Sequence, residues 1–213
     1  MIADNIQKIK KNLPKEVTLV AVSKTKSVNA ILEAYDAGQL DFGENKVQEL
    51  SQKALELPKN IRWHMIGHLQ RNKVKYIAPF VHLIHGVDSA RLLNEINKQA
   101  IRNNRIIDVL IQIHIAEESS KFGFSFQEAE TLLTQNESYQ GVRIAGLMGM
   151  ATFTNDENQI QKEFNALADF YATWKVKQSF SVLSMGMSND FTLAVNAGST
   201  MVRIGSLIFG SRN

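Results

Sequence analysis

The sequence predicts an α/β fold: a single-domain (β/α)8 TIM barrel over residues 1–213, with an extra N-terminal helix. Three observations carry that expectation. Eight short β-type runs recur along the chain, helical patterns alternate with them, and no Gly/Ser-rich linker divides the 213 residues. Several runs are apolar almost throughout, as strands buried on both faces should be, and a β/α alternation implies a parallel sheet. The length lies near the lower end of this fold's range, roughly 200 to over 400 residues. A doubly wound open sheet is the structural alternative.

The elements follow in order. IADNIQKIKK (2–11) is the extra helix, and VTLVAV (17–22) is the first strand run. Val28, Ile31, Leu32 and Tyr35 then fall at i, i+3, i+4 and i+7, with Ser27 ahead and Gly38 behind as caps. LDFG (40–43), IRWHMI (61–66), VHLIHGV (81–87) and IIDVLIQI (106–113) are the next four runs. Ser125 with Glu128 three residues later makes a capping box ahead of Ala129, Leu132 and Leu133. After VRIAGLM (142–148), the stripe Ile160, Phe164, Leu167, Tyr171 and Trp174 predicts a longer helix. FSVLS (180–184) and MVRIG (201–205) complete the set.

Composition bounds the function. Hydrophobic residues are 44% and charged residues 21%, as in ordinary globular proteins. A net charge of +3 is only mildly basic, which argues against nucleic acid as a primary partner. With no cysteine, disulfides, thiolate zinc sites and a cysteine nucleophile are excluded. MIADNIQKIKKN lacks the apolar core of a signal peptide, and no apolar run approaches the roughly 18 residues of a membrane helix. A cytoplasmic protein with no membrane partner is the expectation.

In a barrel of this kind the active site lies where strands end and loops begin. The segments in question are SKTK (23–26), GENK (43–46), GHLQRNK (67–73), EESSKFGF (117–124), GMAT (149–152), SMGMS (184–188) and GSLIFG (205–210). Lys24, at the end of the first run, can attack a carbonyl as a desolvated amine, or it can simply snorkel into water or pair with a carboxylate. Ser184, Gly186 and Ser188 after the seventh run, and Gly205 and Ser206 after the eighth, offer hydroxyl and backbone donors where such barrels usually hold phosphate. A plain glycine-bearing turn is the alternative. Alternation with Val202 and Ile204 places Arg203 inside the barrel mouth, where it needs an acceptor: Glu44, another carboxylate, or a ligand.

Other signals carry less. His64 and His68 straddle a strand–loop junction without an H-E-x-x-H pattern, so zinc is not expected. His82 and His85 cannot both face inward on one strand. RNNR (102–105) reads as a solvated helix end.

Taken together, AVSKTK (21–26), DFGENKVQE (41–49), WHMIGHLQRNK (63–73), GLMGMA (146–151) and LSMGMSND…AGSTMVRIGSLIFG (183–210) resemble the pyridoxal phosphate homeostasis protein family. They are spread in order over nearly the whole chain. The resemblance implies a barrel like the N-terminal domain of alanine racemase, with pyridoxal 5′-phosphate (PLP) held as a Schiff base on Lys24. It implies phosphate contacts from Ser188, Gly205 and Ser206, with Gly186 and Met187 in the same loop, and Arg203 facing the pyridine nitrogen. Asn45 and His64 would line the cofactor pocket. Serine at 206, where the family commonly has threonine, keeps the hydroxyl.

An arginine at the pyridine nitrogen can only donate a hydrogen bond, which weakens the cofactor as an electron sink. Racemisation further needs an acid/base group on each face of the substrate, and related racemases place the second on a domain after the barrel. A chain ending at Asn213 is expected to lack it. The expected role is therefore buffering or delivering PLP in vitamin B6 and amino/keto-acid homeostasis without robust turnover. PLP-dependent apo-enzymes are the implied partners, and the chain is expected as a monomer or weak dimer. A PLP-dependent racemase or lyase using Lys24 as base is the alternative, with a phosphosugar-type barrel enzyme lacking PLP behind it.

Overall fold

In the computed structural model, which describes residues 1–118, 121–135 and 139–210, eight parallel strands close into a barrel in chain order. They are β1 (Thr18–Val22), β2 (Asp41–Glu44), β3 (Arg62–Met65), β4 (Leu83–Val87), β5 (Ile107–Gln112), β6 (Val142–Met148), β7 (Val182–Ser184) and β8 (Met201–Ile204). Each lies within one of the eight apolar runs, apart from Glu44, which extends β2 by one residue. The open-sheet alternative is excluded because β8 pairs with β1, Val20 opposite Arg203 and Ala21 opposite Ile204.

Helices α1 (Ile2–Asn12), α2 (Val28–Asp36), α3 (Val47–Glu56), α4 (Val74–Ile77), α5 (Ala90–Arg102), α6 (Phe126–Thr134), α7 (Glu157–Gln178), α8 (Phe191–Asn196) and α9 (Ser206–Phe209) surround the strands. Ser27 caps α2 by accepting from the Ala30 amide, and Ser125 with Glu128 forms the reciprocal box on α6. The whole apolar stripe of α7 is buried. The extra helix α1 packs its buried Ile6 and Ile9 inward, and Asn5 donates to the Ile208 carbonyl of α9 (3.0 Å). It thus lies beside the last helix at the point of closure.

Strand alternation divides two cores. Leu19, Ala21, Val202 and Ile204 pack in the layer between sheet and helices. Val20, Leu83, Leu110, Ala145, Met148 and Met201 form a second cluster inside the barrel. Two register shifts adjust this pattern, in β4 between Ile84 and Val87 and in β6 between Ile144 and Gly146.

One loop corrects the sequence reading. Arg105, expected at a solvated helix end, is part-buried and donates to the carbonyls of Ala78 (2.6 Å) and Val81 (2.8 Å), tying α5 to the segment before β4. Of the strand-end segment expected at 117–124, residues 119–120 lie outside the described residues.

Gly146 is the tightest point of the sheet: a Cβ there would meet the Val182 carbonyl oxygen at 1.7 Å. Gly146→Ala is expected to destabilise the barrel by about 3 kcal/mol, because backbone must move to admit the methyl. Urea unfolding measures this; a loss within about 0.5 kcal/mol, the range of an ordinary surface change, would contradict the packing.

Candidate functional site

All eight strands point the same way, so their C-terminal ends share one rim. On that rim a cleft of ≈ 1320 Å³ opens. Seven of the expected site residues line it: Lys24, Asn45, Met187, Ser188, Arg203, Gly205 and Ser206. Val22 and Ile66 supply apolar wall at the ends of β1 and β3, and Met150 to Asn155 enclose the β6 side.

Lys24 stands two residues past β1. The chain there makes a turn in which the Lys26 amide donates to the Ser23 carbonyl (3.0 Å), and the Thr25 amide is held by Glu49. Lys26 itself reaches the carbonyls of Phe209 (3.1 Å) and Gly210 (3.4 Å), so the first loop is pinned to the end of α9.

Two strands around the rim, the loop after β7 is shaped by Gly186. Its φ of +95° suits glycine, and a Cβ would come within 2.6 Å of Ala194 Cβ on α8. The Gly186 carbonyl accepts from the Arg203 amide (3.0 Å), so this residue builds the cradle from behind and does not line it. The Ser188 hydroxyl accepts from the Gly205 amide (3.3 Å), joining the loops after β7 and β8. Gly205 lets β8 end tightly against β1, since a Cβ would lie 3.2 Å from Val22. The first amides of α9 follow, groups for which a helix has no internal acceptor.

Arg203 forms the floor. It is 4% exposed, and it donates to Ser184 Oγ (2.6 Å) and to the Gly149 carbonyl (3.1 Å). Burial lowers its pKa to about 10, partly opposed by Asp190, so it remains a cation at neutral pH. Pairing with Glu44, one of the acceptors open from the sequence, is not formed. Glu44 instead accepts from Ser23 (2.6 Å) and Lys53 (2.8 Å) beneath the first two loops.

His64 departs most from expectation. It does not line the cleft but lies fully buried lower in the barrel, with His85 at 2.9 Å and Asp41 at 3.0 Å. His68 is separate, bonded to Asp88 (2.9 Å) and stacked on Phe122. Asp41, His64 and His82 bring ligand-type atoms within 4.8 Å of one another. Both Asp41 oxygens already accept from Arg62, a cation that a metal would have to displace.

Among the cleft-lining residues not singled out from the sequence, three make polar contacts that shape the loops. Asp190 accepts from the Met187 amide and shapes the β7 loop; its carboxyl is raised mainly by burial. Lys121 donates to the Ala151 carbonyl (2.6 Å) and pairs with Glu118 (3.0 Å). Lys26 is the third. Asp190 and Lys26 sit inside the quoted motifs SMGMSND and SKTK, and that proximity was the available signal.

The residues present suit a phosphorylated aldehyde: an amine on the first loop, hydroxyl and amide donors on the neighbouring loops after β7 and β8, and a buried guanidinium beneath them. The fold and site thus define a small barrel built to hold an anionic, carbonyl-bearing ligand at its mouth. The family model described as alanine racemase, N-terminal domain, matches residues 1–213. A pyridoxal phosphate homeostasis protein of Haemophilus influenzae is 39% identical over 203 residues, covering 92% of this chain and 86% of that protein. The structure of PipY from Synechococcus elongatus without PLP superposes with a TM-score of 0.94 at 35% identity, covering 99% of this chain and all of that one. The PipY structure with PLP bound gives 0.90 at 34% identity over the same shares. The chain belongs to the pyridoxal phosphate homeostasis proteins, within the alanine racemase N-terminal domain family.

The Glu44–Lys53 pair yields a test. Burial raises the Glu44 carboxyl, and the hydrogen bonds from Lys53 and Ser23 oppose this. Lys53→Met removes that opposition and leaves a buried carboxylate at pH 8, at a cost of about 3–5 kcal/mol. The raised pKa means the folded state takes up a proton before the unfolded state does, so stability is kept at low pH and lost as pH rises. Denaturation at pH 5 should therefore show a smaller loss than at pH 8. An equal loss at both would contradict the account.

Proposed function

We propose that the chain binds PLP at this mouth and serves in PLP homeostasis without catalytic turnover. The observation that carries the reading is the convergence of Lys24, Arg203, Ser188 and Ser206 on one cleft, in a family whose member PipY has been solved with PLP bound. Lys24 would hold the cofactor by condensing its amine with the aldehyde, forming a C=N bond and releasing water. Ser188, Ser206 and the amides from Gly205 onward would hold the phosphate dianion through charge-assisted hydrogen bonds. Gly186, Met187 and Asp190 would keep that loop in shape, and Asn45 would flank the lysine.

PLP supplies carbanion stabilisation best when its pyridine nitrogen is protonated against a carboxylate. Arg203 offers the reverse, a cation that donates and accepts nothing. This favours carrying over chemistry. The exposure of Met187 and the openness of the mouth suit release to PLP-dependent apo-enzymes, the partner class this reading implies. No helix among the described residues is long and apolar enough to cross a membrane.

Borohydride reduction of the PLP-loaded protein, followed by peptide mass spectrometry, should place a pyridoxyl group on Lys24. Lys24→Ala should lose the bound-cofactor absorption while keeping its far-UV circular dichroism. An adduct on Lys26 or Lys121 would overturn the assignment, and steady interconversion of D- and L-amino acids would favour a racemase.

A further inference from the structure

Beneath the floor of the cleft a line of polar side chains runs through the apolar interior of the barrel. Arg203 Nη1 meets Ser184 Oγ at 2.6 Å, Ser184 Oγ meets His85 Nδ1 at 3.0 Å, His85 Nε2 meets His64 Nδ1 at 2.9 Å, and His64 Nε2 meets Asp41 Oδ1 at 3.0 Å. Ser184, His85 and His64 are fully buried. The line descends from β8 to β7, crosses the barrel to β4, and continues through β3 to β2. At its lower end Asp41 and Arg62 line a separate cleft of ≈ 310 Å³ on the base of the barrel.

The chemistry of the two ends gives this line a direction. Arginine can only donate and a carboxylate can only accept. Burial tends to raise the Asp41 carboxyl, but the hydrogen bonds from Arg62 and His64 outweigh it and hold the group ionised far below the usual range. Burial above all, with His64, Arg203 and His82 adding to it, holds His85 well below the ordinary histidine range, so its ring carries one proton. Facing a carboxylate that only accepts, His64 must give its Nε2–H to Asp41, and a line that runs one way leaves Nδ1 as its acceptor. His85 must then give its Nε2–H to His64 and accept at Nδ1 from the Ser184 hydroxyl. The lone pairs of Ser184 are left for Arg203, as the 2.6 Å contact requires.

We propose that Ser184, His85, His64 and Asp41 form a one-way hydrogen-bond relay that positions the Arg203 guanidinium, fixing its orientation from the opposite end of the barrel. The proposal rests on the reading of Arg203 as a cofactor-site donor, but the relay exists in the protein without ligand. His64 and His85 are positioning residues in it. Their place in the core is costly for polar groups, and full satisfaction in one direction is what makes such a network rigid. The charged and titratable surroundings agree. Arg62 from β3 and Lys10 from α1 face Asp41. His82 lies against His64, its own pKa lowered chiefly by burial, with Asp108 of β5 acting on it. Asp190 acts on Arg203 from the β7 loop.

Imidazole ¹⁵N NMR on histidine-labelled protein without cofactor tests the direction. At pH 7.5 both His64 and His85 should appear as neutral Nε2–H tautomers. An Nδ1–H tautomer or an imidazolium at either ring would overturn the relay, whatever the cofactor does. Arginine side-chain ¹⁵N NMR tests the reach. In His64→Leu, which keeps bulk but neither donates nor accepts, the Arg203 Nη1 resonance should shift and PLP retention should weaken about tenfold, the effect of one perturbed hydrogen bond to a charged group. His64→Gln, which can donate to Asp41 and accept from His85, should restore the wild-type arginine signal. An unchanged Arg203 resonance in a folded His64→Leu would reduce His64 to a packing role and overturn the proposal. If His64→Leu fails to fold, the wild-type tautomers still decide. Failure of PLP to bind at all would strike the functional reading alone, because neither NMR measurement contains the cofactor.

Discussion

Closure of the sheet, β8 against β1, is the constraint on which the rest of this structure depends. The pairing sets Val20 beside Arg203 and Ala21 beside Ile204. It thereby brings the loop carrying Lys24 next to the loop carrying Gly205 and Ser206, although the sequence separates them by about the length of the chain. Nothing local forces these residues together. Eight parallel strands of matched twist do, because they can satisfy their last edge only by meeting the first. Gly205 at the meeting point permits it, because a side chain there would crowd Val22 of β1.

Closure also creates an interior that must be filled, and here it is filled unevenly. Apolar side chains occupy part of the barrel, while a cation, two imidazoles, a hydroxyl and a carboxylate occupy a continuous strip. Buried charges of this kind weaken a fold unless each has a partner. Arg203 has Ser184 and the Gly149 carbonyl, Asp41 has Arg62 and His64, and Glu44 has Lys53 and Ser23. An apolar interior would hold the barrel at least as well. A polar strip that ends on the floor of the cleft is better understood as stability given up so that one guanidinium points in one direction.

Much of this was legible in the sequence, for reasons that differ by element. The strands were legible because two-sided burial leaves continuous apolar runs, and α7 because its stripe kept helical spacing for four turns. The residues proposed for the site were legible in part because a barrel collects its strand ends, which marked Lys24, Ser188, Gly205 and Ser206; alternation within β8 marked Arg203, and the family resemblance marked Asn45 and Met187. What stayed hidden depends on contacts across the barrel. His64 was expected in the pocket on the family resemblance, yet it is fully buried and bonded to His85 and Asp41 below the floor. His85 meets Ser184 between β4 and β7, strands that are not neighbours, and no spacing rule reports such a pair. Arg105 was misread because a charged helix end is usually solvated; here the carbonyls of Ala78 and Val81, in the segment before β4, capture it.

The most direct test of the central claim is a crystal structure of this protein grown with excess PLP. The account predicts continuous density from Lys24 Nζ to the cofactor, its phosphate between Ser188 and Ser206, and its ring nitrogen within hydrogen-bond distance of Arg203. Density for the phosphate elsewhere in the cleft, or a ring turned away from Arg203 with Lys24 unattached, would contradict it.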